Sequence, residues 1–450
     1  MPLIHRNRMS VLCSTFTVVM LINCMTWAKT SLSIPNGALL PWKMENNTKV
    51  FHLIAEPIKQ VFAPGLTVNC WGYNGMTPGP VIEATEGDRV RILVTNKLPE
   101  KTAIHWHGIF LPNGMDGVAG LTQPPIEPGE TFAYEFTLRQ HGTFMYHPHS
   151  DEMTQMAMGL MGFFIVHPKN KKNQPDRDFL IFLHEWAIKP GAYTPDPNVM
   201  LDFNYFTFNG KVFPATAPLV VNLGQKVRVR LGNVSMDNHP IHLHGFSFKV
   251  TATDGGEIPI LAQWPNTTVD VPPGSTRNFE FVADAEGDWP LHCHKTHHTM
   301  SGMEHGLPNV IGVDQSGVED SVHALLPGYM AMGSTGMSGM AEMGMAGPAN
   351  YPGMGSAPGP FATIEMGGMF TLVKIRKDLK SFNDPPWYKH PEGTVAWLLK
   401  DTSANVPQQK QERSYYTCPM HPKILEVNPG SCPKCGMNLV KEKNDQSGRE

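Results

Sequence analysis

Between residues 81 and 94, apolar and polar positions alternate on both sides of a Glu86-Gly87-Asp88 turn, with Ile82, Ala84, Val90, Ile92 and Val94 on the apolar positions. A period of two marks a half-buried strand. Residues 143–146 (Thr-Phe-Met-Tyr) and 162–166 (Gly-Phe-Phe-Ile-Val) read as further strands. The plan recurs at 219–231, where Leu219-Val220-Val221 and Val227-Arg228-Val229-Arg230-Leu231 flank Gly224. Each stretch leads to a His-rich loop and a closing apolar strand. The pattern therefore predicts an all-β chain holding two copies of one Greek-key β-sandwich, at 50–168 and 178–314. From 315 to 369 it dissolves into Gly, Met, Ala, Ser and Pro, and nine Met lie between Met330 and Met369, several times the density expected from 27 in 450 residues. Residues 370–414 read as a strand remnant and a polar linker. A compact module follows at 415–441.

Composition narrows the picture. The chain is 41% hydrophobic and 17% charged, with a formal net charge of -4, so it offers no basic footprint for nucleic acid. Residues 1–28 read as a cleaved export signal. His5, Arg6 and Arg8 precede an apolar run, and Thr26-Trp27-Ala28 supplies the small-residue cleavage site. The run is short for a membrane span of about 20 residues. A lipid anchor at Cys24 is the alternative, and a periplasmic location is expected. Five cysteines remain after cleavage. Disulfides are ordinary in an oxidising compartment, yet Cys293, Cys418, Cys432 and Cys435 all sit in metal-ligand spacings. Cys70 reads as a buried free thiol.

The chemistry is concentrated in four His-rich motifs: His105-Trp106-His107-Gly108, His147-Pro148-His149, His239-Pro240-Ile241-His242-Leu243-His244-Gly245, and His292-Cys293-His294 with His298 and Met303 beyond it. Each contains an i, i+2 pair, which a strand places on one face. Four pairs can supply eight imidazoles to a site shared by several coppers. His239, Cys293, His298 and Met303 remain. Two imidazoles, a thiolate and a weak thioether form the ligand set of a blue-copper centre. In His292-Cys293-His294 the Cys faces one way and both His the other, so one tripeptide can touch two metal sites. His141, His167, His184 and His297 read as surface or hydrogen-bonded residues, and Trp106 and Met300 as packing.

These motifs, in this order, resemble those of the multicopper oxidases, as does 74–94 with its Asn-Gly-Met-Thr-Pro-Gly-Pro start. The resemblance implies two cupredoxin-like domains and four coppers per chain. His239, Cys293, His298 and axial Met303 would bind a type 1 copper. His105 and His242 would bind type 2. His107, His147, His149, His244, His292 and His294 would bind the type 3 pair. Asp116, in Asn113-Gly114-Met115-Asp116-Gly117, matches a proton-relay carboxylate, against the plain reading of an Asp before Gly in a turn. Only about 70 residues separate the first unit from the next His motif, so the chain is similar to the two-domain branch. That implies a homotrimer whose three-copper cluster is shared between subunits. Pro148 stands where a second type 1 Cys would sit.

Cys418, His421, Cys432 and Cys435 give four soft or borderline ligands in under 20 residues, suited to Zn or Cu(I). The module resembles the heavy-metal-binding domain of metal-efflux proteins. A disulfide knot is the other reading. The Met-rich stretch is either a linker or a collector of Cu(I) through thioethers. With dioxygen as acceptor, the implied activity is oxidation of Cu(I) in copper tolerance. Oxidation of a small aromatic donor, as in laccases, and a metal scaffold without turnover are the alternatives.

Overall fold

The computed structural model describes residues 32–170, 174–189, 191–302, 321, 324–325, 349–352, 356–398, 415–426 and 428–442. The 1–28 signal, most of the Met-rich stretch and the 401–414 linker lie outside the described residues. The chain clusters into Met1–Lys389 and His390–Glu450.

The first unit contains both sandwiches. In the first, Thr48–Ala63 pairs in parallel with Arg89–Asn96, which pairs with Thr131–Thr137; Trp42–Glu45 and Leu66–Tyr73 flank Thr48–Ala63. The facing sheet runs Gly79–Thr85, Gly162–His167, Gly142–Pro148, Ile104–His107. Val90, Ile92 and Val94 are buried, as their alternation requires. They pack with Phe51, Trp106 and Phe164 in the first core. The strands on either side of Glu86–Asp88 belong to opposite sheets, so the turn arches across the sandwich. Gly87 takes φ +90° there, and Gly224 takes φ +85° at the matching arch of the second sandwich. Only a residue without Cβ adopts that region at little cost, and its recurrence is the imprint of the repeat.

The second sandwich has one sheet built around Arg177–Trp186, Lys226–Asn233, Ser275–Val282 and Phe248–Thr253. Its facing sheet runs Leu219–Asn222, Phe370–Arg376, Gly287–Cys293, His239–Leu243, Thr268–Val271. This corrects two boundaries. The sandwich does not close at 314: Phe370–Arg376, read from sequence as a remnant, lies inside its sheet, parallel to Leu219–Asn222 and antiparallel to Gly287–Cys293. Leu32–Ser33, ahead of the first sandwich, pairs with Arg177–Trp186 of the second. The first error arose because a single apolar strand beyond a long Gly/Met stretch has no sequence neighbour to announce its partner.

The sandwiches share an apolar seam that includes Met145, Phe163, Leu180 and Phe182. Beside it lies a buried ionic knot. Arg230 donates from Nε and Nη2 to the two carboxylate oxygens of Asp178, both at 2.8 Å, and from Nη1 to Thr143 Oγ1 at 2.7 Å. Thr143 comes from the first sandwich, so the knot fixes one sandwich on the other. Arg230→Ala removes the bidentate partner of the buried Asp178 and leaves it only Arg228 Nη1, at 3.6 Å. A loss of about 3–5 kcal/mol is expected, read as a lower urea midpoint at unchanged slope. No helix among the described residues is long and apolar enough to cross a membrane.

The second unit holds a three-stranded sheet of Tyr415–Cys418, His421–Glu426 and Val440–Glu442.

Candidate metal centres

The sheet containing Gly287–Cys293 and His239–Leu243 has two chemically different faces. In register, Ile241 opposes Cys293, His242 opposes His292, and Leu243 opposes Leu291. Cys293, Leu291, Ile241 and Leu243 turn inward to the core. His242, His244, His292 and His294 turn the other way, with neighbouring rings 4.8–5.6 Å apart.

On the inner face, His239, Cys293 and His298 bring their ligand atoms within 4.8 Å of one another. His239 Nδ1 is 3.1 Å from His298 Nδ1, which is 3.5 Å from Cys293 Sγ. Such separations suit three ligands about 2.0–2.3 Å from one ion. His298 stands on the short turn Thr296–Thr299 and stacks on Phe206, with centroids 3.9 Å apart. Met303 lies outside the described residues, one position beyond Gly302.

The eight imidazoles separate into two quartets. His105, His107, His147 and His149 form the first on the outer face of the first sandwich, with His107 Nδ1 3.2 Å from His147 Nε2. The second is that of His242, with His244 Nε2 3.0 Å from His292 Nε2. Among the described residues, no ring contact joins one quartet to the other. Four rings donate their remote N–H to a backbone carbonyl: His105 to Asp116, His147 to Pro148, His242 to Thr267 and His292 to Cys293, at 2.7–3.0 Å. A carbonyl can only accept, so the other nitrogen of each ring is left bare as a ligand.

Electrostatics favour the same reading. Burial lowers His147 and His239 to about 3 and His292 to about 4. These rings are neutral at pH 7, the form a metal binds. Burial pushes the Cys293 thiol up to about 12, so metal binding there must expel a proton. The depressed imidazoles also predict how the metal-free protein responds to acid. Their unfolded counterparts protonate near 6.5, so the stability they hold is complete above that pH. It drains as pH falls toward 3–4, because the unfolded chain then binds more protons. At pH 5.5 each costs roughly 1.4 kcal/mol relative to neutral pH. The urea midpoint of metal-free protein is expected to fall between pH 7.5 and 5.5.

Asp116 stands beside His105. Its carbonyl takes the His105 proton, and its carboxylate is 3.6 Å from His105 Nδ1. Several neighbours of the ligands went unnoticed in the sequence. Glu152 sits 3.5 Å from His147 Nδ1 and 4.0 Å from His149 Nε2, a contact foreshadowed only by its i+3 spacing from His149. Glu185 approaches His239, Asp237 approaches His298 at 3.6 Å, and Phe370 stacks on His292. A lone carboxylate inside the apolar run Phe179–Trp186 was the available signal for Glu185. His184 in that run is not a surface residue: it is buried edge-on against Trp186. Cys70 is a buried free thiol, and Trp106 packs in the first core.

In the second unit, Cys418, His421, Cys432 and Cys435 converge within 4.8 Å. Cys418 Sγ lies 3.6 Å from Cys435 Sγ and 3.7 Å from His421 Nδ1, and Cys432 Sγ lies 3.7 Å from His421 Nδ1. A tetrahedron with metal–sulfur bonds of about 2.3 Å has sulfur–sulfur edges of about 3.8 Å. The four groups fit one ion, and all three cysteines are free.

Comparison with known proteins agrees with this geometry. The family described as Multicopper oxidase matches residues 56–171 and 189–310, and Heavy metal binding domain matches 415–442. A probable nitrite reductase-hydroxylamine oxidoreductase fusion protein of Kuenenia stuttgartiensis is 30% identical over 264 residues, 55% of this chain and 30% of that one. Copper resistance protein A of Escherichia coli is 34% identical over 183 residues, 40% of this chain and 29% of that one. The chain thus spans under a third of the length of either relative. Among solved structures, the blue copper oxidase from Nitrosomonas europaea aligns with a TM-score of 0.54 at 27% identity, covering 72% of this chain and 85% of that one. Both sandwiches are cupredoxin-like, and the two multicopper oxidase matches take in more than half of the sequence. The chain belongs to the multicopper oxidase family.

Proposed function

We propose that this protein oxidises Cu(I) and passes the electrons to dioxygen, in the service of copper tolerance. One observation carries the reading: a single strand presents Cys293 to a buried His239/His298 pair on one face and His292 to an imidazole quartet on the other. Bound copper would supply one-electron acceptance at the buried centre and four-electron reduction of dioxygen to water at the imidazole cluster. In this reading His239, Cys293, His298 and Met303 hold a type 1 copper, and the eight paired histidines hold the type 2 and type 3 ions. The covalent path from Cys293 into His292 and His294 connects the two sites. Asp116 and Glu152 stand beside the first quartet, where their carboxylates can hand protons to the oxygen being reduced.

The donor assignment rests on the edge of the buried centre. Met236 is exposed, and Asp237, beside it, directs its carboxylate to His298 Nε2 at 3.6 Å while pairing with Lys295 at 3.2 Å. A thioether next to a carboxylate suits a soft cation. The copper resistance relative and the soft-ligand module at 415–441 point to the same cargo. The nitrite reductase in the name of the Kuenenia relative is disfavoured here, because eight paired imidazoles exceed the needs of a single copper. A small aromatic donor is the second reading. The export signal read at 1–28 would place the reaction outside the cytoplasm.

We further propose that the cluster is completed by a second copy in a head-to-tail homotrimer. Two quartets that share no ring contact among the described residues are consistent with completion by another chain, and a heterologous interface that closes on itself makes a ring. Exposed apolar residues lie close in sequence to both quartets or to the residues that hold them. Phe110 follows His107 by three positions, and Leu121 follows Asp116 by five. Ile260, Leu261 and Trp264 lead into Thr267–Thr268, which anchor His242.

The donor is tested by oxygen consumption of copper-loaded protein with Cu(I) and with a phenol. Cu(I) is expected to be the better substrate. Met236→Ser with Asp237→Asn should raise its KM about tenfold, equivalent to about 1.4 kcal/mol, and affect the KM for phenol far less. Faster phenol oxidation, with Cu(I) kinetics indifferent to both substitutions, would overturn the assignment.

A further inference from the structure

Glu185 is buried in the strand Arg177–Trp186, at 3% exposure. Its Oε1 accepts the backbone N–H of Met236 at 2.7 Å and of Asp237 at 2.9 Å. Among the described residues its Oε2 has no hydrogen-bond partner, and it lies 3.8 Å from Nε2 of His239. A buried carboxyl oxygen without a partner costs on the order of 1–3 kcal/mol or more, so its retention asks for a reason.

The surroundings supply one. Ser235 Oγ donates to Asn233 Oδ1 at 2.5 Å and stands 2.9 Å from His239 Nε2. Its hydroxyl proton is therefore committed, and it accepts from the imidazole. This fixes the N–H on Nε2 and leaves Nδ1 turned toward His298. Glu185 stands behind this contact and holds the turn Ser235–Asp237 by its backbone. The outer side of the same turn carries Met236 and Asp237, the edge assigned above to the donor.

We propose that Glu185 is a positioning residue that couples the donor-facing Met236–Asp237 turn to the copper ligand His239, its second oxygen stabilising the positive charge that the imidazole shares when the centre is oxidised. This rests on the type 1 reading of His239, Cys293 and His298. Glutamine makes an informative replacement. Its amide oxygen is needed by the two backbone N–H groups, so its NH2 replaces Oε2 opposite an imidazole N–H. Donor then faces donor, and the oxidised centre loses support.

The test is a spectroelectrochemical titration of the blue absorption in copper-loaded protein, with a Cu(I) saturation curve beside it. Glu185→Gln is expected to shift the equilibrium with a one-electron mediator about tenfold toward reduced copper, equivalent to about 59 mV. A folded, blue variant whose equilibrium stays within twofold of the parent overturns the proposal. If Glu185→Gln does not fold, Glu185→Asp decides. The shorter side chain cannot both hold the turn and reach His239, so either the redox equilibrium or the Cu(I) KM must move severalfold. Both unchanged overturns the proposal equally. A parent protein that is never blue instead sinks the type 1 reading on which the proposal stands.

Discussion

Cys293→Ser is expected to remove the blue absorption and reduce oxygen turnover to the background of free copper. The reason lies in the ligand atom. Sulfur is soft and gives up its proton to a metal, whereas a serine hydroxyl is hard and stays protonated near neutral pH. The side chain has no exposure and packs among Ile241, Leu243 and Leu291. The new hydroxyl therefore cannot seek water, and the variant should also lose about 1–3 kcal/mol of stability. The histidine quartets do not depend on the thiol, so the imidazole cluster should still load copper. Absorption and metal content separate the outcomes. A colourless variant that keeps the copper of the imidazole cluster supports the assignment, and one that stays blue refutes it.

Leu261→Asp combined with Trp264→Asp should produce the opposite phenotype: a blue protein that does not reduce oxygen. Leu261 and Trp264 are exposed in the isolated chain, at 102% and 52%, an unusual cost unless another surface covers them. They lie on the approach to Thr267 and Thr268, which orient His242. Apolar anchors at the centre of an interface contribute about 2 kcal/mol or more each, and in a ring the loss recurs at every contact. Sedimentation should show monomers. The buried centre, made within one chain by His239, Cys293 and His298, should keep its colour, while turnover falls by more than about a hundredfold. A monomer that retains full oxygen consumption would sink the shared-cluster reading.

How much of this was legible in the sequence follows from how local each feature is. The i, i+2 histidine pairs declare their shared face because strand geometry is a property of adjacent residues. The inward Cys293 between outward His292 and His294 is equally local, and so is the convergence of Cys418, His421, Cys432 and Cys435. Features fixed by register between distant strands left little trace. Glu185 meets His239 only because separate strands of the second sandwich come together. Arg230 finds Asp178 and Thr143 across three strands and two sandwiches, although its sequence context is an ordinary alternating strand. The division of eight histidines into two quartets is a matter of how the sandwiches are set against each other. The short spacing between the units hints at a shared cluster, but not at how the two quartets are placed.

The placement of Phe370–Arg376 has a consequence for how the chain is made. This strand fills the space between Leu219–Asn222 and Gly287–Cys293, yet it is synthesised well after both. The first sandwich can collapse as soon as its last strand, Gly162–His167, leaves the ribosome. The second must wait with an open slot in its sheet, its unpaired edges exposed, until residue 376 emerges. Loop-closure entropy grows only logarithmically, by about 0.6 kcal/mol for each doubling of length. The intervening stretch can therefore lengthen or shorten between lineages at little thermodynamic cost, while its arrival time changes in direct proportion. A chain that stops anywhere before that strand is not a shortened protein but a half-built one, with the sheet that carries Cys293 left open along one edge.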